Sequence, residues 1–380
     1  MKLTPSTSAE QRLRQIELAR EAVMVQGRSL TDTLVDAWFE RSWIERSWRR
    51  CLAKGQRPEH RVAFDLVPAA AARRTLEANQ PLLRAARPVL DKLGRAIANT
   101  RYFAILTDAD GIVIDVHGAI DHGDRRAHLI ARAGVDLSER SVGTTAISAA
   151  LTERQPVWLH RGEHFFADTS VYSCAGAPLF GPDGRCVGML DLTGIEAAER
   201  PELKHLVAQA ARGIENALTL KRPHSLLVRL NWPGRTLGDE ADGLVCLDAD
   251  GWVTGANQTA RDMVSQLGAG ASAALHASEL FALPYEMLFD AARRQTDPLE
   301  VPLWSGLRLH ALPLVAGQDR AQRLARREAP ATAALPLKDM EVALIRKAVD
   351  EARGNVMKAA RALGISRATV YRKLGKKNAG

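Results

Sequence analysis

Three groups of residues in this chain have the types and spacing that chemistry asks for. His160-Arg-Gly-Glu-His164 spells H-x-x-E-H, an order in which two histidines hold zinc and a glutamate serves as base. That chemistry needs a helix, so that both imidazoles share one face. Gly162 sits inside the motif, and Pro156-Val-Trp-Leu159 before it has the texture of a strand. The motif therefore reads first as structural or pocket-lining. A metallohydrolase using His160, Glu163 and His164 is an alternative of another class, and a regulatory metal on His160, His164 or Cys174 is a third reading. Cys174, within Tyr-Ser-Cys-Ala-Gly, senses redox state only if its thiol is exposed and acidified. The plainer expectation is a small buried apolar residue, and the same holds for Cys51, Cys186 and Cys246. Their spacing makes neither a disulfide framework nor a zinc ribbon, which points to a reducing cytoplasm. Asp-Ala-Asp-Gly occurs at 108–111 and 248–251. A calcium loop would need glycine at its sixth position and glutamate at its twelfth, so both tetrapeptides read as turns.

The third group is cationic. From Asn355 to Gly380 there are seven Lys and Arg residues and no acidic one, against a net charge of +8 for all 380 residues. The rest of the chain is left near +1. Such a concentration is either a tail or a nucleic-acid-binding element. Its patterning favours the second. Leu337 to Ala352 is an amphipathic helix, Gly354-Asn355 stops it, and Val356 to Leu363 is the next helix. Gly364 supplies the tight turn, and Ser366 caps a third helix, Arg367 to Lys373. Helix, glycine turn and short basic helix make a helix-turn-helix. Ile365, Val370 and Leu374 face inward. Arg367, Thr369, Tyr371, Arg372 and Lys373 are left for DNA, with Lys376 and Lys377 beyond them for the phosphate backbone.

The elements that position these groups follow from periodicity. Residues 1–79 are helical, with apolar positions at three- and four-residue steps. Trp38, Trp43 and Trp48, five apart, wind around a helix and read as core anchors. From about 100 the texture turns to strands: Tyr102 to Thr107, the Asp-Gly turn, then Ile112 to Val116, which is a hairpin signal. Helices at 143–152 and 201–220 flank the strands. ILTDADGIVIDV at 105–116 has an echo 140 residues on, VCLDADGWVTGA at 245–256. The echo predicts two antiparallel-sheet domains in tandem. The expected fold class is α+β multidomain: a helical segment at 1–79, sheet domains at 80–220 and 225–316, a linker at 317–336, and the all-α helix-turn-helix at 337–380. No apolar run is long enough to cross a bilayer, and the N-terminus has no secretory core. Hydrophobic residues at 46% and charged residues at 25% exclude wholesale disorder.

Gly354 to Leu374, GNVMKAARALGISRATVYRKL, closely resembles the DNA-binding domain of the Fis family. Ser47-Trp48-Arg-Arg-Cys51 with Gly55 and Pro58 resembles the N-terminal signature of the acetoin-catabolism activator group. Val142-Gly-Thr-Thr-Ala-Ile147, Glu163-His-Phe165, Ser173-Cys-Ala175, Ala177-Pro178 and Gly188-Met-Leu-Asp-Leu192 resemble the GAF sensor domain of the same regulators. Residues 243–264 resemble the opening of a PAS domain. Members of this group usually carry an AAA+ ATPase that activates sigma-54 polymerase. No GxxxxGK[ST] phosphate loop occurs in these 380 residues. The resemblance implies a cytoplasmic regulator without ATPase activity or cofactor. It would bind double-stranded DNA as a homodimer, act on RNA polymerase without contacting a membrane, and sense a small molecule in the GAF domain. His164, Phe165, Tyr172 and Cys174 are the expected effector-lining residues. A redox- or metal-responsive repressor of the same architecture, using Cys174 or His164, is the runner-up.

Overall fold

The computed structural model describes residues 8–29, 42–121, 123–268, 274–294 and 298–316, and, nearer the C-terminus, 345, 348, 349, 352, 355–363 and 365–374. The chain divides into two compact units, Met1–Ala316 and Gly317–Gly380. In the first unit α1 (Ser8–Arg20) runs into a π-helical turn (Glu21–Val25), followed by α2 (Ser42–Ala53), α3 (Ala69–Ala78) and α4 (Gln80–Ile97). Then come β1 (Tyr102–Asp108), β2 (Val113–His117), α5 (Arg125–Ile130), α6 (Glu139–Val142), α7 (Ala146–Glu153), β3 (Val157–His160), β4 (Tyr172–Phe180), β5 (Cys186–Ile195) and α8 (Leu203–Leu220).

The five strands form an antiparallel sheet in the order β2-β1-β5-β4-β3. Side chains alternate across a strand, and here both faces are covered. Tyr102, Ala104 and Leu106 pack with Leu190 and Leu192 under α4 and α8, which contribute Leu82, Leu90, Leu93, Val207 and Ile214. Phe103 and Ile105 face the other way. They belong to one buried cluster with Ile16, Trp43, Ile44 and Trp48 of the N-terminal helices and Val142, Ala146 and Ile147 of α6 and α7. The N-terminal helices share this core with the first sheet, packing on the 161–163 turn and on α7. Trp43 and Trp48 are buried as anchors; Trp38 lies outside the described residues.

The second sheet contains β6 (Leu226–Asn231), β7 (Gly243–Leu247), β8 (Val253–Ala256), β9 (Leu299–Pro302) and β10 (Arg308–Val315), in the order β8-β7-β6-β10-β9. Helices α9 (Gln258–Met263), α10 (Ala277–Leu280) and α11 (Glu286–Arg294) accompany it. The echoed tetrapeptides are equivalent turns. Asp108 Oδ1 accepts from Asp110 N and Ile112 N at 3.0 and 2.8 Å. Asp248 Oδ1 accepts from Asp250 N and Trp252 N at 3.0 and 2.9 Å. Gly111 and Gly251 take φ of +86° and +88°, open to glycine without strain. Each turn closes the hairpin at one edge of its sheet. Beyond that hairpin the two sheets differ, since β6, the first strand of its sheet, takes the central place that β5, the last, holds in the other.

In the second unit α12 (Val356–Ala362) and α13 (Arg367–Leu374) close over Ile345, Ala360 and Val370. Asn355 Oδ1 caps α12 through Lys358 N at 3.1 Å, and Ser366 Oγ caps α13 through Thr369 N at 3.1 Å. The expected linker at 317–336, Gly364 and most of the helix expected at 337–352 lie outside the described residues.

Trp48 is fully buried, and its Nε1 donates to the Glu163 carbonyl at 2.9 Å. Trp48→Ala is expected to cost about 3–5 kcal/mol, read as a lower urea midpoint for the first unit. A change below about 1 kcal/mol would show that α2 is not packed into the core of the first sheet domain as described.

Candidate functional site

The strand register builds the first site. Asp191 of β5 lies opposite Ile105 of β1 and Gly176 of β4, and Thr193 lies opposite Cys174. All of these positions lie on the face turned toward α7. A Cβ at Gly176 would stand 2.9 Å from the Ala146 carbonyl oxygen. The glycine therefore lets the start of α7 descend onto the sheet. Between them is a cavity of about 30 Å³, room for about two waters. Phe64, Ile105, Ile130, Leu137, Val142 and Ile147 form its apolar wall, and Thr145, His164, Thr169, Tyr172, Cys174, Asp191 and Thr193 are the polar lining.

Most of those polar groups are already paired. Tyr172 Oη donates to Arg126 O at 3.2 Å, and Thr169 Oγ1 donates to Phe166 O at 2.9 Å. Thr145 Oγ1 caps α7 through Ser148 N at 3.2 Å. Thr193 donates to Asp191 Oδ2, and Cys174 Sγ lies 3.4 Å from Thr193 Oγ1. Asp191 Oδ1 and His164 Nε2 are buried with no hydrogen-bond partner among the described residues. Burial pushes the Asp191 carboxyl up to about 7 and the His164 imidazole down to about 4. In both cases desolvation disfavours the charged form.

Of the expected effector residues, the structure brings His164, Tyr172 and Cys174 to the cavity. Phe165 is buried but not in the lining; its ring packs edge-on to Phe166, centroids 5.0 Å apart. Asp191 and Thr193 were missed by sequence reasoning. The available signal was an acidic residue inside the apolar run Met189-Leu-Asp-Leu192, because a carboxyl in a doubly covered strand has to be accounted for. Burial and the neighbouring Asp191 push the Cys174 thiol well up, which disfavours the thiolate that redox chemistry needs.

The H-x-x-E-H motif does not lie on a helix. His160 ends β3, and Arg161–Glu163 is a single 3-10 turn. His160 Nδ1 pairs with Ser173 Oγ at 2.8 Å, and Glu163 Oε2 accepts from His160 N at 2.7 Å. Glu163 Oε1 pairs with Arg12. Among the described residues no group of three His, Cys, Asp or Glu side chains is placed to hold a metal. Arg20 donates to the carbonyls of Gly162, His164 and Phe165 at 2.8, 2.5 and 3.0 Å and sits over the Trp48 ring. These contacts fix the turn that places His164.

The second site is α13. Val370 is buried inward, while Ser366, Arg367 and Tyr371 are exposed and Thr369 is half-buried. Arg367 and Tyr371 are four apart and share the outer face. Arg372 and Lys373 continue the helix backbone, their side chains outside the description, and Lys376 and Lys377 lie outside the described residues.

The two buried titratable groups give opposite pH slopes. Between pH 4 and 6.5 the unfolded chain binds more protons than the native one at His164, so stability rises with pH there. Between about pH 4 and 7 it binds fewer at Asp191, so stability falls with pH. Asp191→Asn should therefore gain stability relative to wild type as pH rises from 4 to 7. His164→Gln should lose relative stability from 4 to 6.5. Urea denaturation at stepped pH checks both, and curves parallel to wild type would refute the assignment.

Residues 17–216 match the family model described as the MimR N-terminal domain, and residues 336–376 match the bacterial regulatory protein Fis family. The acetoin catabolism regulatory protein of Cupriavidus necator is 30% identical over 249 residues, 64% of this chain and 37% of that one. The propane 2-monooxygenase operon transcriptional activator MimR of Mycolicibacterium goodii is 28% identical over 229 residues, 53% of this chain and 39% of that one. The chain thus spans less than two fifths of the length of either relative. The crystal structure of the E. coli DhaR(N)-DhaL complex is similar with a TM-score of 0.44 and 17% identity, over 71% of this chain and 98% of that one. Since the first family match covers more than half of the sequence, the chain belongs to the MimR N-terminal-domain family and carries a Fis-family DNA-binding helix-turn-helix.

Proposed function

We propose that this protein is a transcriptional regulator that senses a small molecule in its first sheet domain and binds operator DNA through α13. The observation that carries the reading is a small, mostly apolar cavity whose lining holds two buried polar atoms unpartnered among the described residues, in the family-matched part of a chain that also holds a Fis-type helix-turn-helix. Ligand sites are apolar hollows with a few placed polar groups, and this cavity has that composition. In this reading the first sheet domain is a GAF sensor and the second is PAS-like. The protein works in the cytoplasm as a homodimer on a two-fold operator, and RNA polymerase is the downstream partner. Among the described residues no helix is long and apolar enough to cross a membrane. Without a phosphate loop in these 380 residues, regulation proceeds here by DNA binding without ATP hydrolysis. The effector acts by shifting a population between DNA-competent and incompetent forms. The buried Cys174, whose thiol is pushed up, and the non-helical H-x-x-E-H turn, with Glu163 held by Arg12 and the His160 amide, give no support to a redox, metal or hydrolase reading.

Two variants test the DNA assignment. Arg372→Ala should lower affinity and relax specificity at one operator position, since a base contact is worth about 1–3 kcal/mol. Lys376→Ala should weaken all sequences alike and reduce the salt slope by roughly one unit per half-site. Titrations against operator and random DNA at several salt concentrations separate the two effects. Equal loss on both DNAs for Arg372→Ala would make it a phosphate contact, and no loss for either variant, nor for Arg367→Ala, would remove α13 from the interface.

A further inference from the structure

Tryptophan is highly buried on average, yet Trp252 and Trp304 of the second sheet domain are 43% and 63% exposed. Both are tied to the same short segment, His276 to Ser278. Trp304 Nε1 donates to Ser278 O at 2.9 Å, so the indole N–H is spent inside the fold while most of the ring stays in solvent. Trp252 packs edge-on to the His276 ring, centroids 5.1 Å apart. His276 is itself fixed at both nitrogens. Nε2 donates to Asp250 O at 2.9 Å, and Nδ1 accepts from Ser278 N at 3.3 Å. The His276 ring also meets Tyr285, centroids 4.8 Å apart. A Cβ at Gly251 would stand 2.6 Å from Tyr285 Cδ2 and 2.7 Å from His276 Nε2. Glycine there lets the 248–252 turn close on these rings and present Trp252.

The surroundings of the two indoles carry the opposite sign to the chain. The net charge of the protein is +8, yet residues 248–252, 275–292 and 299–307 hold six carboxylates and no Lys or Arg. Asp290 and Glu300 pair with Arg293 and Arg308 at 3.3 and 2.7 Å. Asp250, Glu279 and Glu286 are exposed and make no ion pair among the described residues.

We propose that Trp252 and Trp304, with Asp250, Glu279 and Glu286 around them, form a docking surface for a Lys- or Arg-bearing segment of a partner protein. An exposed tryptophan that the fold already holds still is an interface anchor, since covering it gains a large area with little side-chain freedom left to lose. An ammonium or guanidinium over an indole face gains a cation–π contact, and the carboxylates supply its counter-charge. The same carboxylates repel nucleic acid, anionic lipid and a second copy of this strip. The surface shares no residue with the cavity or with α13, so its fate and that of the sensor reading are separate.

The test is fluorine NMR on the full chain with fluorotryptophan in place of tryptophan, the two signals assigned from Trp252→Phe and Trp304→Phe. The probes are a short peptide alternating Arg and Gly and its counterpart alternating Glu and Gly. The Arg peptide should shift both signals to saturation, less tightly as salt rises, and the Glu peptide should shift neither. Asp250→Lys combined with Glu286→Lys, both at exposed positions, should weaken the Arg peptide roughly tenfold or more. Trp304→Leu, read at the Trp252 signal, should weaken it roughly 2- to 30-fold. The proposal is overturned if the Arg peptide leaves both signals unmoved at millimolar concentration, if the Glu peptide shifts them equally, or if the charge reversals leave its affinity unchanged. Shifts that grow with protein concentration in the absence of peptide would make the occupant a second copy, which also overturns it.

Discussion

The hold of Arg20 on the 161–165 turn is the constraint on which the sensor domain depends. One guanidinium donates to three carbonyls that a 3-10 turn leaves without sheet partners. Burial lowers the Arg20 pKa, so desolvation of the cation is offset by those oxygens and by the face of Trp48. Trp48 Nε1 adds a fourth tie through the Glu163 carbonyl, and Arg12 pairs with the fully buried Glu163 carboxylate. This frame fixes the turn that brings His164 to the cavity lining. The family match, residues 17–216, takes in Arg20 and Trp48. The helices ahead of the sheet are part of the sensor because they hold one wall of it.

A second set of contacts ties the first sheet to the second. Glu215 of α8 accepts from Phe180 N at 2.9 Å, at the end of β4. Its neighbour Asn216 accepts from Asn257 Nδ2 at 2.7 Å and donates to Glu240 O at 2.9 Å. Asn257 also accepts from Leu244 N at 2.8 Å, and the buried pair Arg229–Asp242 closes at 3.0 Å beside it. β4 carries Cys174 into the cavity and ends at the turn that α8 grips. The strand that lines the cavity and the second sheet domain are thus both hydrogen-bonded to adjacent residues of α8.

Local features were legible in the sequence. The Asp-Ala-Asp-Gly turns, the alternation in Tyr102 to Thr107, and the caps at Asn355 and Ser366 depend on neighbours within a few residues, and pattern reports such neighbours directly. Phe165 and Asp191 show where pattern stops. Both lie in buried runs, and which one meets the cavity depends on the pairing of Asp191 with Ile105 across 86 positions. The H-x-x-E-H motif shows the same limit from the other side. Its spacing suited zinc, but Arg12 and Arg20, some 140–150 residues away, claim the glutamate and the backbone. Gly162 and the preceding strand texture were the local hints that no helix would form.

The central claim is that the cavity and α13 are coupled, and coupling between two ligands is reciprocal. The most direct measurement takes a metabolite that shifts the Ile105 and Ile147 methyl signals and determines its dissociation constant with and without saturating operator DNA. The account predicts that the two constants differ by about 5- to 150-fold, and by the same factor that the metabolite changes operator affinity. Equal constants, with the cavity demonstrably occupied in both, would contradict it.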